Sequence, residues 1–139
     1  MKTVDDDELV ARALAQRNRS YAPYSRFHVG AALLCADGSV VEGCNVENAS
    51  YGLCNCAERT AVSAAVSQGK TKFTRIAVAT GSSPPASPCG MCRQVLAEFA
   101  GKDELVIVLA NDKGERTTTT LAAIFPGVFD QAQLSSGQK

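Results

Sequence analysis

Arg75-Ile76-Ala77-Val78-Ala79-Thr80, Gly81-Ser82-Ser83-Pro84-Pro85-Ala86, Ser87-Pro88-Cys89-Gly90-Met91-Cys92 running on to Phe99, and Leu105-Val106-Ile107-Val108-Leu109-Ala110 together decide the fold. The first piece is a short apolar strand, and the second a loop of glycine, serine and proline too short to link domains. Ser87 is placed to cap a helix with Pro88 at its first position and its stop near Gly101. The last piece is an unbroken aliphatic run, which reads as a strand buried on both faces. A strand, a helical crossover and a second strand predict a parallel pair.

Upstream, Cys56 to Val66 reads as another helix, with Asn55 as cap and Gly69 as stop. Asp5 to Arg17 carries Leu9, Val10, Ala13 and Leu14 at helical spacing, with acids at its start. Between these helices, Phe27–Ala36 and Val40–Asn45 flank Ala36-Asp37-Gly38-Ser39, and an Asp-Gly pair between apolar runs is a strong hairpin signal. Downstream, Asn111 to Gly114 turns the chain, Thr117 to Thr120 adds a short strand and Leu121 to Phe125 a short helix. The reading is an α/β fold, three-layer α/β/α around a mixed five-stranded sheet. One domain is expected over residues 1–130, with 131–139 as a flexible tail.

The chain has 139 residues, 45% hydrophobic and 20% charged, which suits one domain with a solid core. Lys and Arg number 14, as do Asp and Glu, a balance that does not suit binding to phosphate backbones or anionic membrane. Leu121 to Phe129, the longest stretch free of charged or strongly polar side chains, is far too short to cross a bilayer. The start, Met1-Lys2-Thr3-Val4 before three aspartates, lacks the apolar region of a signal peptide. The six cysteines are then expected as thiols or metal ligands of a cytoplasmic protein, not disulfides.

Cys89 and Cys92 stand at i and i+3 in a helical first turn, so both sulfurs face one side, near the positive end of the dipole. Alone, such a pair reads as half of a structural zinc site or as a redox dithiol. Cys56-Ala57-Glu58 opens the other long helix. Cys56 and Glu58 lie about 200° apart around the axis, yet side chains of a first turn tilt toward the space beyond the helix end. Glu58 also occupies the capping-box position if Asn55 is the cap. That alternative leaves three thiols unexplained. A structural zinc takes four protein ligands, whereas a catalytic one leaves a position to water. Cys54 is the obvious fourth candidate, but Cys54 and Cys56 straddle a cap in poor chelate geometry. Cys35 and Cys44 sit on the hairpin strands as small core residues. His28, the single histidine, alternates with Phe27 and Val29 and is expected to face solvent.

Cys-Ala-Glu followed by Pro-Cys-Gly-Met-Cys is the zinc-deaminase signature in its three-cysteine form. With it, the chain resembles the homo-oligomeric three-cysteine cytidine deaminases of pyrimidine salvage from Tyr24 to Phe129. The resemblance rests on Pro23-Tyr24-Ser25 through Ala32, Gly43-x-Asn45-Val46-Glu47-Asn48-Ala49-Ser50-Tyr51, Cys56 through Ala61, Pro88 through Gln94, and Leu121 through Phe129. Phe125 departs from the family, which often has leucine there.

The resemblance implies one Zn2+ per subunit on Cys56, Cys89 and Cys92, with Glu58 as proton shuttle and Arg59 compensating thiolate charge. It implies a backbone contact from Ala57 to the base, ribose contacts from Asn45 and Glu47, and packing of Phe27 on the nucleoside. Ala49, Tyr51 and Phe129 would reach substrate from neighbouring subunits of a homotetramer. The implied reaction is hydrolytic deamination of cytidine and 2'-deoxycytidine. The partners are then a small nucleoside and other copies of the chain, with no nucleic acid and no membrane. Three other readings compete: a deaminase of another aminated heterocycle such as a blasticidin-type enzyme, an editor of tRNA or DNA, and a structural zinc module. An editor would need a positive surface, which the charge balance does not suggest. Glu58, the missing fourth ligand and the Asn45/Glu47 pair count against the module.

Overall fold

The computed structural model describes residues 3–100 and 104–138. Gly101, read above as a helix stop, lies outside them, as do Met1 and Lys2. The chain opens with α1 (Asp6–Arg17), whose cap Asp5 accepts a hydrogen bond from the Glu8 amide at 2.9 Å. Then come β1 (Gly30–Cys35), β2 (Val40–Cys44), α2 (Ala57–Ser67), β3 (Phe73–Thr80), α3 (Gly90–Phe99), β4 (Val106–Asn111) and β5 (Arg116–Thr120). Two short helices, α4 (Leu121–Ile124) and α5 (Gln131–Ser136), follow. The five strands form one sheet in the order β2-β1-β3-β4-β5. The pair joined by the α3 crossover, β3 and β4, is parallel, and every other pair is antiparallel. The expected mixed sheet is therefore present.

Alternation along the strands supplies two apolar faces. Ala31 and Leu33 of β1, Ile76 and Val78 of β3, and Ile107 and Leu109 of β4 pack with Ala61 and Val62 of α2 and Leu96 of α3. The intervening residues Ala32, Ala77, Ala79, Val108 and Ala110 meet Leu9, Val10 and Ala13 of α1 on the other side. That gives three layers, with α1 alone on one face.

Several boundaries differ from the sequence reading. The first strand starts at Gly30, not Phe27. The Asn45 side chain takes over the backbone there, accepting from the Val29 amide at 2.9 Å and donating to the Phe27 carbonyl at 2.7 Å. Residues 131–136, read as tail, form a short exposed helix capped by Asp130. His28 is half-buried, with Nδ1 2.5 Å from Ser20 Oγ, so it is less open to solvent than expected.

Gly43 sets how closely α2 lies on β2. A Cβ at this position would stand 2.5 Å from the Ala61 nitrogen and 2.8 Å from the Ala57 carbonyl oxygen, both backbone atoms that cannot swing aside. Gly43→Ala must therefore push the start of α2 outward. The expected cost is about 1–3 kcal/mol, with a matching fall in thermal unfolding temperature. A variant melting with the parent would show that α2 has slack at this point.

Candidate active site

The two helices that carry the cysteines are each entered by one. Cys56 is the N-cap of α2 and Cys89 the N-cap of α3, both in extended backbone and neither making a side-chain cap bond. Serine or aspartate at a cap usually bonds back to the helix. A thiol accepts weakly, so the sulfur is left to turn outward beyond the helix end. The sequence reading placed these starts earlier, with Asn55 and Ser87 as caps. The Cys56 carbonyl takes the first helical bond of α2, from the Thr60 amide at 3.0 Å, and Asn55 instead pairs with Val46 through both backbone groups. Glu58 is thus the second helical residue and leaves the capping-box position. In α3 the Cys89 carbonyl accepts the first bond, from the Arg93 amide at 3.0 Å.

These caps bring three sulfurs together. Cys56, Cys89 and Cys92 have Sγ atoms all within 4.8 Å of one another. Cys56 to Cys89 is 3.8 Å and Cys89 to Cys92 is 3.4 Å. A tetrahedral ion with sulfur bonds of about 2.3 Å holds its ligands ~3.8 Å apart, so the cluster fits zinc in size and in donor type. Cys54 is not in the cluster. Its sulfur accepts from the Asn48 amide at 3.3 Å and donates to the Asn48 carbonyl at 3.6 Å, which closes the loop before α2. Cys35 is buried in the core and Cys44 half-buried on β2, as expected of small packing residues. All six cysteines are free thiols.

The electrostatics favour one thiolate, at Cys56, while hydrogen bonding with Cys56 and burial push the Cys92 thiol up. Hydrogen bonding with Cys92 and with Arg59 brings the Cys56 thiol down to about 5, against the opposing effect of burial. Arg59 Nη2 donates to the Cys54 carbonyl at 3.1 Å and to Cys56 Sγ at 3.7 Å. Its Nε is buried without a hydrogen-bond partner among the described residues. A cation held this way needs negative charge nearby, and the Cys56 thiolate supplies it. Glu58 is only 4% exposed, and burial pushes its carboxyl above the ordinary carboxylate range, with the Cys56 charge adding to the rise. The site therefore places a buried carboxyl, raised above its ordinary range, beside a Cys56 sulfur biased toward the thiolate.

A cavity of about 310 Å³ opens on this cluster. Cys56, Cys89 and Glu58 line it together with Phe27, Asn45 and Glu47. Asn45 and Glu47 share that wall as their alternation predicts, but much of their bonding capacity holds the loop before β1. Glu47 accepts from the amides of Tyr24 and Ser25 at 3.0 and 3.1 Å and from the Ser25 hydroxyl. Ala57 is fully buried and supplies no side-chain wall. Tyr51 and Phe129 are 75% and 55% exposed, and neither they nor Ala49 line the cavity of their own chain. Ser25, Thr80, Ala86 and Ser87 line it and were not named as site residues from sequence. One signal for Ala86 and Ser87 was available, since residues just ahead of a ligand at a helix cap must border the ligand's site.

Residues 3–109 match the profile of the cytidine and deoxycytidylate deaminase zinc-binding region. A cytidine deaminase of Sporosarcina psychrophila is 46% identical over 132 residues, covering 95% of this chain and 96% of its own. One from Halalkalibacterium halodurans is 48% identical over 91% of this chain and 95% of its own. The crystal structure of cytidine deaminase from Burkholderia pseudomallei superposes with a TM-score of 0.86 at 48% identity, over 91% of this chain and all of that one.

Proposed function

The chain belongs to the cytidine and deoxycytidylate deaminase family, and from that premise we propose how its own residues carry out the reaction. It is a zinc-dependent enzyme that hydrolyses cytidine to uridine and ammonia, a step that suits pyrimidine salvage. In our reading 2'-deoxycytidine is a substrate as well. The observation that carries the mechanism is the buried Glu58, its carboxyl raised by burial, in the same cavity as Cys56 and Cys89 of the three-sulfur cluster. Ultraviolet absorbance and ammonia release on adding cytidine to the purified zinc protein test the activity directly.

Cys56, Cys89 and Cys92 hold the zinc, one per subunit. Bound there, the ion acts as a Lewis acid that makes water a competent nucleophile near neutral pH. Glu58 accepts the proton of the attacking water and delivers it to the ring nitrogen of cytosine. Once the water oxygen has added to the amino-bearing carbon, Glu58 takes its remaining proton and passes it to the amino group. The C–N bond then breaks, ammonia leaves and the carbonyl forms, one carboxyl serving as base and as acid. The Ala57 backbone contacts the base, and Phe27 packs on the nucleoside. Asn45 and Glu47 meet the ribose hydroxyls with the acceptor and donor capacity their loop bonds leave over. A carboxylate at this place repels a 5'-phosphate, which favours nucleoside over nucleotide.

Arg59 drains charge from the thiolates, seconded by the N-termini of α2 and α3 at ~+0.5 charge each. Arg59→Gln is therefore expected to lower kcat more than it raises KM while most zinc stays bound. Steady-state kinetics and metal analysis of the variant decide this. A wild-type kcat accompanied by a lower melting temperature would leave Arg59 a structural role only.

The working form in this reading is a cytoplasmic homotetramer, where free thiols stay reduced. What supports it is a cavity rim unfinished within one chain: Tyr51 and Phe129 present large apolar surface outside the cavity. Ala49, Tyr51 and Phe129 would close the site of a neighbour. Light scattering is expected to give the mass of four chains. Mixing Glu58→Gln chains with Phe129→Ala chains, each weak or inactive alone, is expected to restore activity, because a mixed particle pairs an intact Glu58 with an intact neighbouring Phe129. A fully active monomer would refute the shared site.

A further inference from the structure

Between β3 and α3 the six residues Gly81 to Ala86 must carry the chain to the cysteine cap, yet none of them is buried. With no buried side chain before Pro88, polar contacts carry much of the placing of the loop. Three of them come from the turn that joins β4 to β5. Lys113 Nζ donates to the Gly81 carbonyl at 2.9 Å, Asn111 Nδ2 donates to the Ser82 carbonyl at 2.9 Å, and the Ser83 hydroxyl donates to Glu115 Oε1. Three successive loop residues are thus each held by a different residue of one turn. Asn111 is 2% exposed and its side-chain bonds stay within this assembly. Nδ2 also donates to Glu115 Oε1 at 3.1 Å, and Oδ1 accepts from the amides of Lys113 and Glu115 at 3.0 Å each.

The other end of the assembly is the cavity wall. Thr80, also 2% exposed, has Oγ1 3.0 Å from the Ser82 hydroxyl and accepts from the Ala86 amide at 3.4 Å. Thr80, Ala86, Ser87 and Cys89 all line the cavity, whereas Lys113, Asn111 and Glu115 do not touch it.

We propose that Asn111, Lys113 and Glu115 are positioning residues for the deamination: they clamp the Gly81–Ser83 loop and, through Ser82, Thr80 and Ala86, set the part of the nucleoside-cavity lining formed by Thr80, Ala86 and Ser87. The inference rests on the reading of that cavity as the nucleoside site. A buried asparagine with all these partners also stabilises a turn, so the distinguishing consequence lies in substrate affinity. Releasing the clamp leaves the sulfur cluster and Glu58 in place but lets the wall drift, which weakens binding of substrate and product alike.

Lys113 and Glu115 are exposed, so the double variant Lys113→Ala/Glu115→Ala removes two of the three loop contacts without opening the core. It is expected to raise KM for cytidine and the calorimetric Kd for uridine about tenfold, as the loss of one or two hydrogen bonds' worth of preorganisation implies. In the same protein kcat is expected to change less than KM, with bound zinc and melting temperature at the parent values. Asn111→Ala should weaken uridine binding further, and Glu115→Gln, which keeps an acceptor oxygen, should recover much of the affinity lost by Glu115→Ala. Parent-like KM and uridine Kd in the double variant would overturn the proposal, as would a loss seen only in melting temperature. Cytidine turnover by the unaltered zinc protein is measured alongside. Its absence would count against the nucleoside-site reading itself, and is separate from any failure of the clamp.

Discussion

Glu58→Gln should retain about one zinc per chain and lose turnover by a factor on the order of 10²–10⁴, the range general acid–base catalysis contributes. The substitution keeps the shape of the side chain and its place at the start of α2. It removes the carboxyl that is buried, raised above its ordinary range by that burial, and open to the cavity beside the sulfurs. Glutamine is neutral, so the variant also escapes the desolvation penalty of a buried carboxylate and should melt no lower than the parent. Metal analysis and cytidine assays on the same preparation separate the two effects. Substantial turnover would sink the assignment of Glu58 as proton carrier. Lost zinc would mean that the carboxyl supports the cluster and does more than move protons.

Cys89→Ala should fail differently, losing zinc, activity and stability together. The three sulfurs come from the caps and first turns of α2 and α3, so an ion shared among them ties two helix ends to each other. Removing one ligand breaks that tie, and metal binding free energy is also folding free energy. Zinc content well below one per chain and a lowered melting temperature are the expected readings. Cys54→Ser supplies the contrast. Its sulfur is bonded to the Asn48 backbone outside the cluster, and serine can make the same two bonds, so zinc and turnover should be kept. Full zinc in Cys89→Ala, or its loss in Cys54→Ser, would reassign the ligands.

The elements were legible where local chemistry and tertiary packing agree. The helical stripe Leu9, Val10 and Ala13 is buried, the Asp-Gly turn joins β1 to β2, and the aliphatic run from Val106 is an interior strand beside its parallel partner. Boundaries were less legible, because each depends on a competing hydrogen bond. Asn45 lies far along the chain from Phe27, and only folding brings its amide to the Phe27 carbonyl and the Val29 amide, which shortens the first strand. Asn55 has the right side chain for a cap, but its backbone is already paired with Val46. A cap preference of about 1 kcal/mol does not outweigh two backbone bonds fixed by the neighbouring loop.

The same division runs through the site. From the sequence by itself, the spacing of Cys89 and Cys92 at i and i+3, the Cys-Ala-Glu opening of the other helix and the alternation of Asn45 with Glu47 already determined which side chains share a direction. Those are properties of a single element's geometry. Only the tertiary structure decided that Cys54 turns away to Asn48 while Cys56 turns toward Cys89. It alone showed the Nε of Arg59 buried beside the sulfurs, and the turn after β4 holding the loop that leads to Cys89. These facts join residues from separate elements. Each is set by the distance of close approach between packed helices and strands, such as that of α2 on Gly43, which no local pattern encodes.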